Sequence, residues 1–469
     1  MKNQLLLSSL ALPLALCACQ EKEQKAPNIL LINIDDLGWS DLSFNGSTYY
    51  ETPNIDKLRA EGVYFPNAYA AASNSAPSRA SLMTGVYAAR HGVYTVNPAD
   101  RGAAKDRKLI AAQNSKTPDT QFKLLPQTLK ENGYTTCHVG KWHLGDNPLE
   151  QGIDVNIAGN IKGHPASYFS PYKNPNLSDG EAGEFLTDRL TSEAIDFLKN
   201  RDQQKPFFLY FATYAVHTPL QPKKELAQKY AQKQGDEAHS NNRYAALIES
   251  TDYNVGRLLT ALSELGLDDN TLIIFTSDNG GVYEISKQWP LRAGKGSFYE
   301  GGVRIPFIVK WGDRYKENST NESLISQLDI YPTLMSILGI DADSLGLDGE
   351  DMSNQFGDNH SPLLDRSLYW HFPAYLEGAK SSGVFFDSVF RSRPVSSMRQ
   401  GDWKIIYNYE SDSTELFNLK EDIAEKTNLT EEYPEKRDQM QKDLKSWLTK
   451  LNAPTQFELN PKWEGGDNL

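Results

Sequence analysis

Cysteine is scarce in this sequence, and its positions exclude a disulfide framework. The 469 residues contain 3 cysteines, Cys17, Cys19 and Cys137. We expect the first two to be lost or used during processing of the N-terminus, which leaves Cys137 without a partner. Cys137 lies in an apolar run, and we expect a small buried core residue there. A chain of this length is too long for one small core, so we expect a large domain and a smaller one.

Positive charge is also in deficit. Lysine and arginine number 48 against 61 aspartates and glutamates, a formal net charge of −13. This balance argues against a nucleic-acid-binding protein. Any anionic ligand must therefore be held by a local basic pocket, because the field of the whole protein would repel it.

Long apolar runs are absent after the first residues, and the sequence contains no internal repeats or low-complexity tracts. Near the N-terminus, Lys2 precedes the mostly apolar stretch Leu5 to Leu16, a pattern typical of a secretory signal. The signal resembles that of bacterial lipoproteins, with Cys19 as the lipidated residue and residues 1–19 as the signal region; plain secretion with nearby cleavage is the alternative. We expect a protein anchored by lipid in the periplasm or outer membrane, with no membrane-spanning segment.

Two predicted buried strands are each followed at once by oxygen-bearing side chains. The stretch NILLINI (Asn28 to Ile34) precedes Asp35 and Asp36, and TLIIFTS (Thr271 to Ser277) precedes the pair Asp278-Asn279. Ligands gather at the carboxyl ends of strands in open α/β sheets. A solvated turn would explain either pair alone, but two such strand ends favour a site for a hard divalent cation.

Nitrogen-bearing side chains follow two further predicted strands. Lys141 and His143 follow the strand Thr135 to Val139, and His217 lies near the end of the strand that Pro206 introduces. Helical patterns alternate with these strands, at Leu124 to Asn132, Phe185 to Lys199, Arg243 to Leu265 and Leu324 to Leu338. This alternation predicts an α/β fold, a large and mostly parallel sheet sandwiched by helices, over residues 26–365.

The pattern changes after about residue 364. Four short predicted strands and a long amphipathic helix, Pro434 to Leu451, indicate an antiparallel sheet with one helix over residues 366–469. His371 and Arg393 of this smaller domain are candidate substrate-binding residues.

The stretch SAPSRASLMTG, Ser75 to Gly85, is the centre of the predicted site. Pro77 suits the first turn of a helix and Gly85 suits its end. Ser75 would then lie just before a helix N-terminus, where unpaired N–H groups and the helix dipole favour an anion. On composition alone, an ordinary capped helix that carries an arginine is the better explanation of this stretch.

The order Ser-x-Pro-Ser-Arg-Ala, followed shortly by Thr-Gly, resembles the motif of the type I sulfatases. In that family the first motif residue, Cys or Ser, is oxidised to formylglycine, which here would be Ser75 after action of a radical-type maturation enzyme. The resemblance covers nearly the whole mature chain and implies an alkaline phosphatase-like fold. It also implies a sulfuric ester hydrolase whose formylglycine hydrate forms a covalent sulfoenzyme before sulfate is released.

The resemblance assigns roles to the residues already singled out. It implies one calcium ion, with the metal ligands Asp35, Asp36, Ser75, Asp278 and Asn279. It also implies a set of catalytic residues: Ser75, Arg79, Lys141, His143, His217 and Lys295, the last in the glycine-rich run RAGKGSFYEGG. His143 is placed to accept the hydrate proton, and His217, assisted by Lys295, is the candidate acid for the leaving oxygen.

Three functions remain open from the sequence. The first is an exo-acting sulfatase on sulfated carbohydrate, with galactose or N-acetylgalactosamine sulfate as the expected substrate. The second is a phosphoester or phosphonate hydrolase of the same superfamily, which the oxygen-rich ligand set and the Pro-Ser-Arg continuation oppose. The third is a lipoprotein that binds sulfated glycan without turnover, should Ser75 never be oxidised.

Overall fold

The computed structural model describes residues 26–315, 317–357, 361–378, 384–385 and 388–465. The predicted signal region and lipid-bearing cysteine lie outside these ranges. Within them, no helix is both long enough and apolar enough to cross a bilayer.

The chain alternates strands and helices up to about residue 356 and then forms mainly strands. The strands are β1 Asn28–Ile34, β2 Val63–Tyr64, β3 Ala68–Tyr69, β4 Thr135–Gly140, β5 Val155–Ile157, β6 Phe207–Ala212, β7 Thr271–Ser277, β8 Phe307–Lys310, β9 Ser319–Thr320, β10 Ile325–Ser326, β11 Ser367–Phe372, β12 Leu376–Glu377, β13 Phe390–Ser392, β14 Val395–Gln400, β15 Trp403–Asn408 and β16 Ser413–Asn418. The helices are α1 Pro53–Ala60, α2 Ser75–Thr84, α3 Ala88–His91, α4 Leu125–Glu131, α5 Leu186–Asn200, α6 Lys224–Gln232, α7 Asn242–Glu264, α8 Glu300–Val303, α9 Ile330–Leu338, α10 Ser353–Phe356 and α11 Pro434–Lys450.

Eight strands form the main sheet, in the order β5-β4-β6-β1-β7-β8-β2-β9. The five strands from β5 to β7 run parallel, and β8 pairs antiparallel with both of its neighbours. Every residue of β1, β6 and β7 is buried, as expected for strands covered on both faces. The structure thus confirms the predicted mostly parallel sheet.

Helices cover both faces of this sheet. On one face Leu30 and Ile32 of β1 pack in a cluster with residues of α1, α5, α6 and α7. On the other face Ile29 and Leu31 pack with residues of α2, α4 and α9. Alternate residues of one strand therefore serve two cores, and α2 is fixed against the sheet at the level of the strand ends.

The C-terminal strands form an antiparallel sheet in the order β11-β14-β15-β16. Helix α11 packs on one face of it, through a cluster that includes Met398, Leu416 and Leu444. The other face presents Trp370 and Phe417 toward the larger unit. The structure confirms the predicted sheet and helix.

Two local predictions differ from the structure. The helix predicted from Leu324 begins only at Ile330, because Ile325–Ser326 pairs as β10 with β3 and the Asp329 carboxylate accepts the N–H of Ser326. Ser75 is the first residue of α2 instead of the residue before it, and Asn74 occupies the N-cap position. Cys137 is buried, as predicted, and forms no disulfide within the described residues.

Candidate active site

The parallel register of β1 and β7 brings two acidic strand ends together. Ile34 pairs with Ser277, so the residues that follow each strand leave the sheet side by side. Oxygen atoms of Asp35, Asp36 and Asp278 lie within 4.8 Å of one another, and all three residues are buried. The sequence predicted this juxtaposition, because carboxyl ends of neighbouring parallel strands meet at one edge.

The backbone and amide groups around these carboxylates hold them in place. Asp36 has a φ of 62°, a left-handed conformation, and its N–H donates to Asp278 Oδ1 at 3.1 Å. The amide nitrogen of Asn279 donates to Asp36 Oδ1 at 2.8 Å. Because its nitrogen is engaged in this way, the Asn279 amide oxygen is turned toward helix α2.

Helix α2 places Ser75 at this cluster. The Ser75 hydroxyl lies 3.3 Å from Asp35 Oδ1 and 3.2 Å from Asn279 Oδ1, and the residue is 1% exposed. Gly85 ends the helix with a φ of 67°, the left-handed conformation that glycine adopts easily. The hydroxyl therefore lies at a buried strand edge, among oxygens, at the N-terminal end of a helix.

Three cationic side chains pair with the three carboxylates. The Lys141 ammonium donates to both oxygens of Asp35 at 2.8 Å each. Arg79 Nε donates to Asp278 Oδ2 at 2.9 Å, and Lys295 Nζ donates to Asp36 Oδ1 at 2.5 Å.

The charges in this cluster shift its pKa values in opposite directions. Burial, together with the charges of Asp278 and Asp36, raises the pKa of Asp35 to about 8 in spite of Lys141 and Arg79. Burial also opposes ionisation of Asp278, but Arg79, Lys141 and Lys295 outweigh it and lower that pKa. Burial lowers the pKa of Lys141. Such opposed shifts in a buried cluster are typical of functional sites.

Two histidines border the cluster. His143 is buried, its Nδ1 has no hydrogen-bond partner among the described residues, and burial with the charge of Lys141 lowers its pKa. His217 Nε2 lies 3.7 Å from Asp36 Oδ2, and its Nδ1 lies 2.7 Å from the carbonyl oxygen of Thr218. Burial lowers the pKa of His217 to about 3. Both shifts favour the neutral form of each ring.

The donor atoms in this cluster fit a hard cation. Three carboxylates and the Asn279 amide oxygen offer oxygen ligands, whereas a zinc site would use more nitrogen or sulfur. A divalent cation among these oxygens would also offset the burial and the carboxylate repulsion that raise the pKa of Asp35. The buried carboxylate cluster is thus consistent with a metal site.

Two predicted residues lie in the C-terminal part of the chain, His371 in β11 and Arg393 between β13 and β14. His371 Nδ1 lies 2.8 Å from the Ser396 hydroxyl, and Arg393 pairs with Glu410 and donates to the Asp106 carbonyl at 3.1 Å. These hydrogen bonds connect the two side chains to residues outside the cluster. Their substrate-binding role stays a prediction.

The structure also reveals supporting residues that the sequence analysis missed. Gln327 donates to the carbonyl of Ser277 at 2.7 Å and accepts from the Ser78 hydroxyl at 2.6 Å, which ties α2 to the end of β7. The Tyr210 hydroxyl accepts from Arg79 at 3.3 Å. Neither residue lies in a motif, and only the fold brings them to the site.

Known proteins are similar in sequence to this chain, including the region that carries the candidate active site. Residues 27–340 match the sequence profile of the Sulfatase family, and residues 294–454 match that of the N-sulphoglucosamine sulphohydrolase C-terminal region. A protein of Formosa agariphila named "Sulfatase" is 33% identical over 97% of this chain and 94% of its own length. The N-acetylgalactosamine-6-sulfatase of Rattus norvegicus is 34% identical over 74% of this chain and 68% of its own length.

A solved structure extends the similarity to the whole architecture. The crystal structure of Ps i-CgsB in complex with k-i-k-neocarrahexaose superposes with a TM-score of 0.76, at 32% identity, covering 90% of this chain and 93% of that one. The chain therefore belongs to the sulfatase family, and it is a sulfuric ester hydrolase.

Proposed function

We propose that this protein hydrolyses sulfate esters of carbohydrates through a formylglycine hydrate made from Ser75. The observation that carries the proposal is the position of the Ser75 hydroxyl, 3.3 Å from Asp35 and 3.2 Å from Asn279, in a cluster with two buried cations and one that is 14% exposed. A hydroxymethyl group held there is presented to an anion and shielded from bulk water.

The charge of the site supports a sulfate ligand. When a bound cation holds all three carboxylates ionised, their charges and those of Arg79, Lys141 and Lys295 cancel formally, and the shifts of both neighbouring histidines favour their neutral forms. One bound divalent cation would leave the cluster net positive. That local excess would attract an anionic ester in spite of the protein's overall charge of −13.

We assign calcium as that cation, held by Asp35, Asp36, Asp278, Asn279 and residue 75. Bound there, it would polarise the sulfate oxygens and help orient residue 75. The formylglycine hydrate would supply two hydroxyls on one carbon, one to attack sulfur and one whose deprotonation releases sulfate.

The surrounding side chains would stabilise charge and accept a proton. Arg79, Lys141 and Lys295 would stabilise the charged sulfuryl group by hydrogen bonds and by charge. His143, neutral and with an unpartnered buried Nδ1, would accept the hydrate proton.

His217 would donate a proton to the leaving oxygen of the sugar. Its Nε2 lies 3.7 Å from Asp36, and its Nδ1 contacts the Thr218 carbonyl, so Nε2 is the nitrogen free to exchange a proton. An anionic ester beside the ring would raise its lowered pKa as the substrate binds. An alkyl alcohol is a poor leaving group, so sugar sulfates would depend strongly on this acid.

Carbohydrate is the substrate class that the relatives favour. Rattus norvegicus N-acetylgalactosamine-6-sulfatase is named for a sulfated amino sugar, and the Ps i-CgsB structure holds k-i-k-neocarrahexaose. We propose galactose or N-acetylgalactosamine sulfate at a chain end as the substrate. We further propose a periplasmic or outer-membrane protein anchored through Cys19, with a radical-type enzyme converting Ser75.

The direct test is turnover of a defined panel. The protein would be expressed with the maturation enzyme and assayed on sulfated galactose and N-acetylgalactosamine isomers and on the matching phosphate esters. We expect sulfate release from at least one sugar sulfate, its loss in Ser75→Ala, and its retention in Ser336→Ala, an exposed serine of α9. Turnover of phosphate esters alone would overturn the proposal.

A further inference from the structure

A cleft whose lining includes Ala293, two residues before Lys295, has no part in the mechanism above. Its volume is about 350 Å³, within the range of roughly 300–1,000 Å³ usual for small-ligand sites. Its lining combines aromatic and cationic side chains: Tyr283, Trp289, Arg292 and Lys426.

Trp289 is the unusual member of this lining. It is 55% exposed, although tryptophan is usually among the more buried residues. The Lys426 ammonium lies 5.8 Å from the centre of its ring. An exposed aromatic face next to an exposed cation is suited to a ligand with an apolar face and an attached anion.

Gln288, the residue before Trp289, packs against the carboxyl edge of the main sheet and so places Trp289 near that edge. Gln288 is buried and donates to the Ser286 carbonyl at 2.9 Å. Its side chain packs so closely on Gly38, two residues after Asp36, that a Cβ on Gly38 would lie 1.9 Å from Gln288 Oε1. Trp289 therefore lies at the same edge of the sheet as the carboxylates of the candidate metal site.

Three side chains in succession connect the cleft with Lys295. The Tyr283 ring, which lines the cleft, packs edge-on against Phe385 with ring centres 5.7 Å apart. The Arg391 guanidinium lies 5.9 Å from the Phe385 ring and donates to the Lys295 carbonyl at 3.5 Å. Among the described residues, Arg391, Phe385 and Tyr283 therefore link the Lys295 backbone to the cleft.

The cations of the cleft are not equivalent. Arg292 is engaged by the protein, since its Nε donates to the Val384 carbonyl at 3.1 Å and Nη1 to the Glu425 carbonyl at 3.0 Å. Lys426 is exposed at the mouth. Lys426 is therefore the side chain positioned to meet an anionic group on a ligand that covers Trp289.

We propose that this cleft is a subsite for a sugar ring farther along a sulfated oligosaccharide whose scissile ester lies at Ser75. The apolar face of that ring stacks on Trp289, and its sulfate pairs with Lys426. This subsite rests on the proposed function and extends it, because it makes the preferred substrate an oligosaccharide instead of a monosaccharide.

The test compares Trp289→Ala with Tyr253→Ala, whose side chain on α7 is matched in exposure at 56%. Both variants and the parent would be assayed on a sulfated monosaccharide and on a tetrasaccharide ending in the same sugar. We expect Trp289→Ala to raise KM for the tetrasaccharide about tenfold and to leave the monosaccharide kinetics unchanged. Trp289→Phe should restore most of the difference, and Tyr253→Ala should change neither substrate.

A second variant tests the anion contact. Lys426→Gln should raise the tetrasaccharide KM about threefold at low salt, and this difference should shrink at high salt. Equal effects of Trp289→Ala on both substrates, or no effect on either, would overturn the subsite.

Binding separates failure of the subsite from failure of the proposed function. Protein made without the maturation enzyme would be titrated calorimetrically with carrageenan and chondroitin sulfate tetrasaccharides. Weaker binding by Trp289→Ala than by Tyr253→Ala supports the subsite even where no sulfate is released. Equal affinities of the two variants would contradict the subsite, whether or not the parent enzyme hydrolyses sugar sulfates.

Discussion

Lys141 and Asp35 form a fully buried ion pair in which the ammonium donates to both carboxylate oxygens at 2.8 Å, and neither side chain is exposed. Charges removed from water at this depth are tolerated only when they are paired. The pair also fixes Asp35 beside the Ser75 hydroxyl. It thus connects the end of β4 to the end of β1 at the centre of the site.

Loss of this ion pair should destabilise the fold. Lys141→Met should lower the free energy of unfolding by about 3–5 kcal/mol, because it leaves a buried carboxylate without its main partner. Lys223→Met is the control: it breaks a partly exposed pair with Asp188 and should cost less than about 1 kcal/mol. Denaturant unfolding measures both, and equal costs would contradict a structural role for the buried pair.

Calcium should stabilise the protein. At a calcium concentration of about 100 times Kd, the free energy of unfolding should rise by about 2.7 kcal/mol relative to chelated protein. Asp36→Asn should lose this increment, whereas Asp188→Asn, on the surface of α5, should keep it. Thermal unfolding with and without chelator measures the effect, and stability independent of calcium in the parent would refute the metal assignment.

His217→Ala should affect substrates according to their leaving groups. If His217 protonates the leaving oxygen, its loss should lower kcat for sugar sulfates by roughly 10²–10⁴ and affect an activated aryl sulfate far less. His164→Ala is the control, since its exposed ring is stacked 6.3 Å from that of His217. Steady-state kinetics on both substrates measure the two losses in kcat. Equal losses would show that His217 is not the acid for the leaving oxygen.

Buried histidines should make the fold sensitive to acid. Burial lowers the pKa of His91 to about 3, while the unfolded chain takes up that proton near pH 6.5. The unfolded state therefore binds more protons between these values, and stability falls as the pH drops below 6.5. His91 should account for about 2 kcal/mol between pH 6.5 and pH 5.

His91→Gln tests this contribution. Unfolding free energies at pH 5 and pH 6.5 should differ less in the variant than in the parent protein. Some dependence should remain, because burial also lowers the pKa of His138 to about 4 and that of His371 to about 3. Identical pH dependence in the two proteins would show that His91 is not held neutral in the fold.

Much of the site was predictable because it follows regular strands. The apolar runs before Asp35 and Asp278 identify β1 and β7, and parallel neighbours must bring their carboxyl ends together. The helix from Ser75 was predictable from Pro77 and Gly85.

Other features depend on contacts that the sequence pattern does not encode. Gln327 supports the site from a segment predicted as helix, and only the pairing of β10 with β3 turns that segment toward Ser78. Tyr210 lies inside an apolar strand, where a buried tyrosine gives no signal of its partner. The Trp289 cleft was missed for the same reason: its walls come from residues 283–293, residue 384 and residues 424–426, which only the fold brings together.

The central claim is that residue 75 is a formylglycine when the enzyme is active. Mass spectrometry of the peptide containing residue 75, made with and without the maturation enzyme, tests it most directly alongside sulfatase activity. The account predicts that this peptide is lighter by two hydrogen atoms only in the active preparation, and that activity rises in proportion to the converted fraction. Full sulfatase activity from protein whose Ser75 carries the mass of unmodified serine would contradict the account.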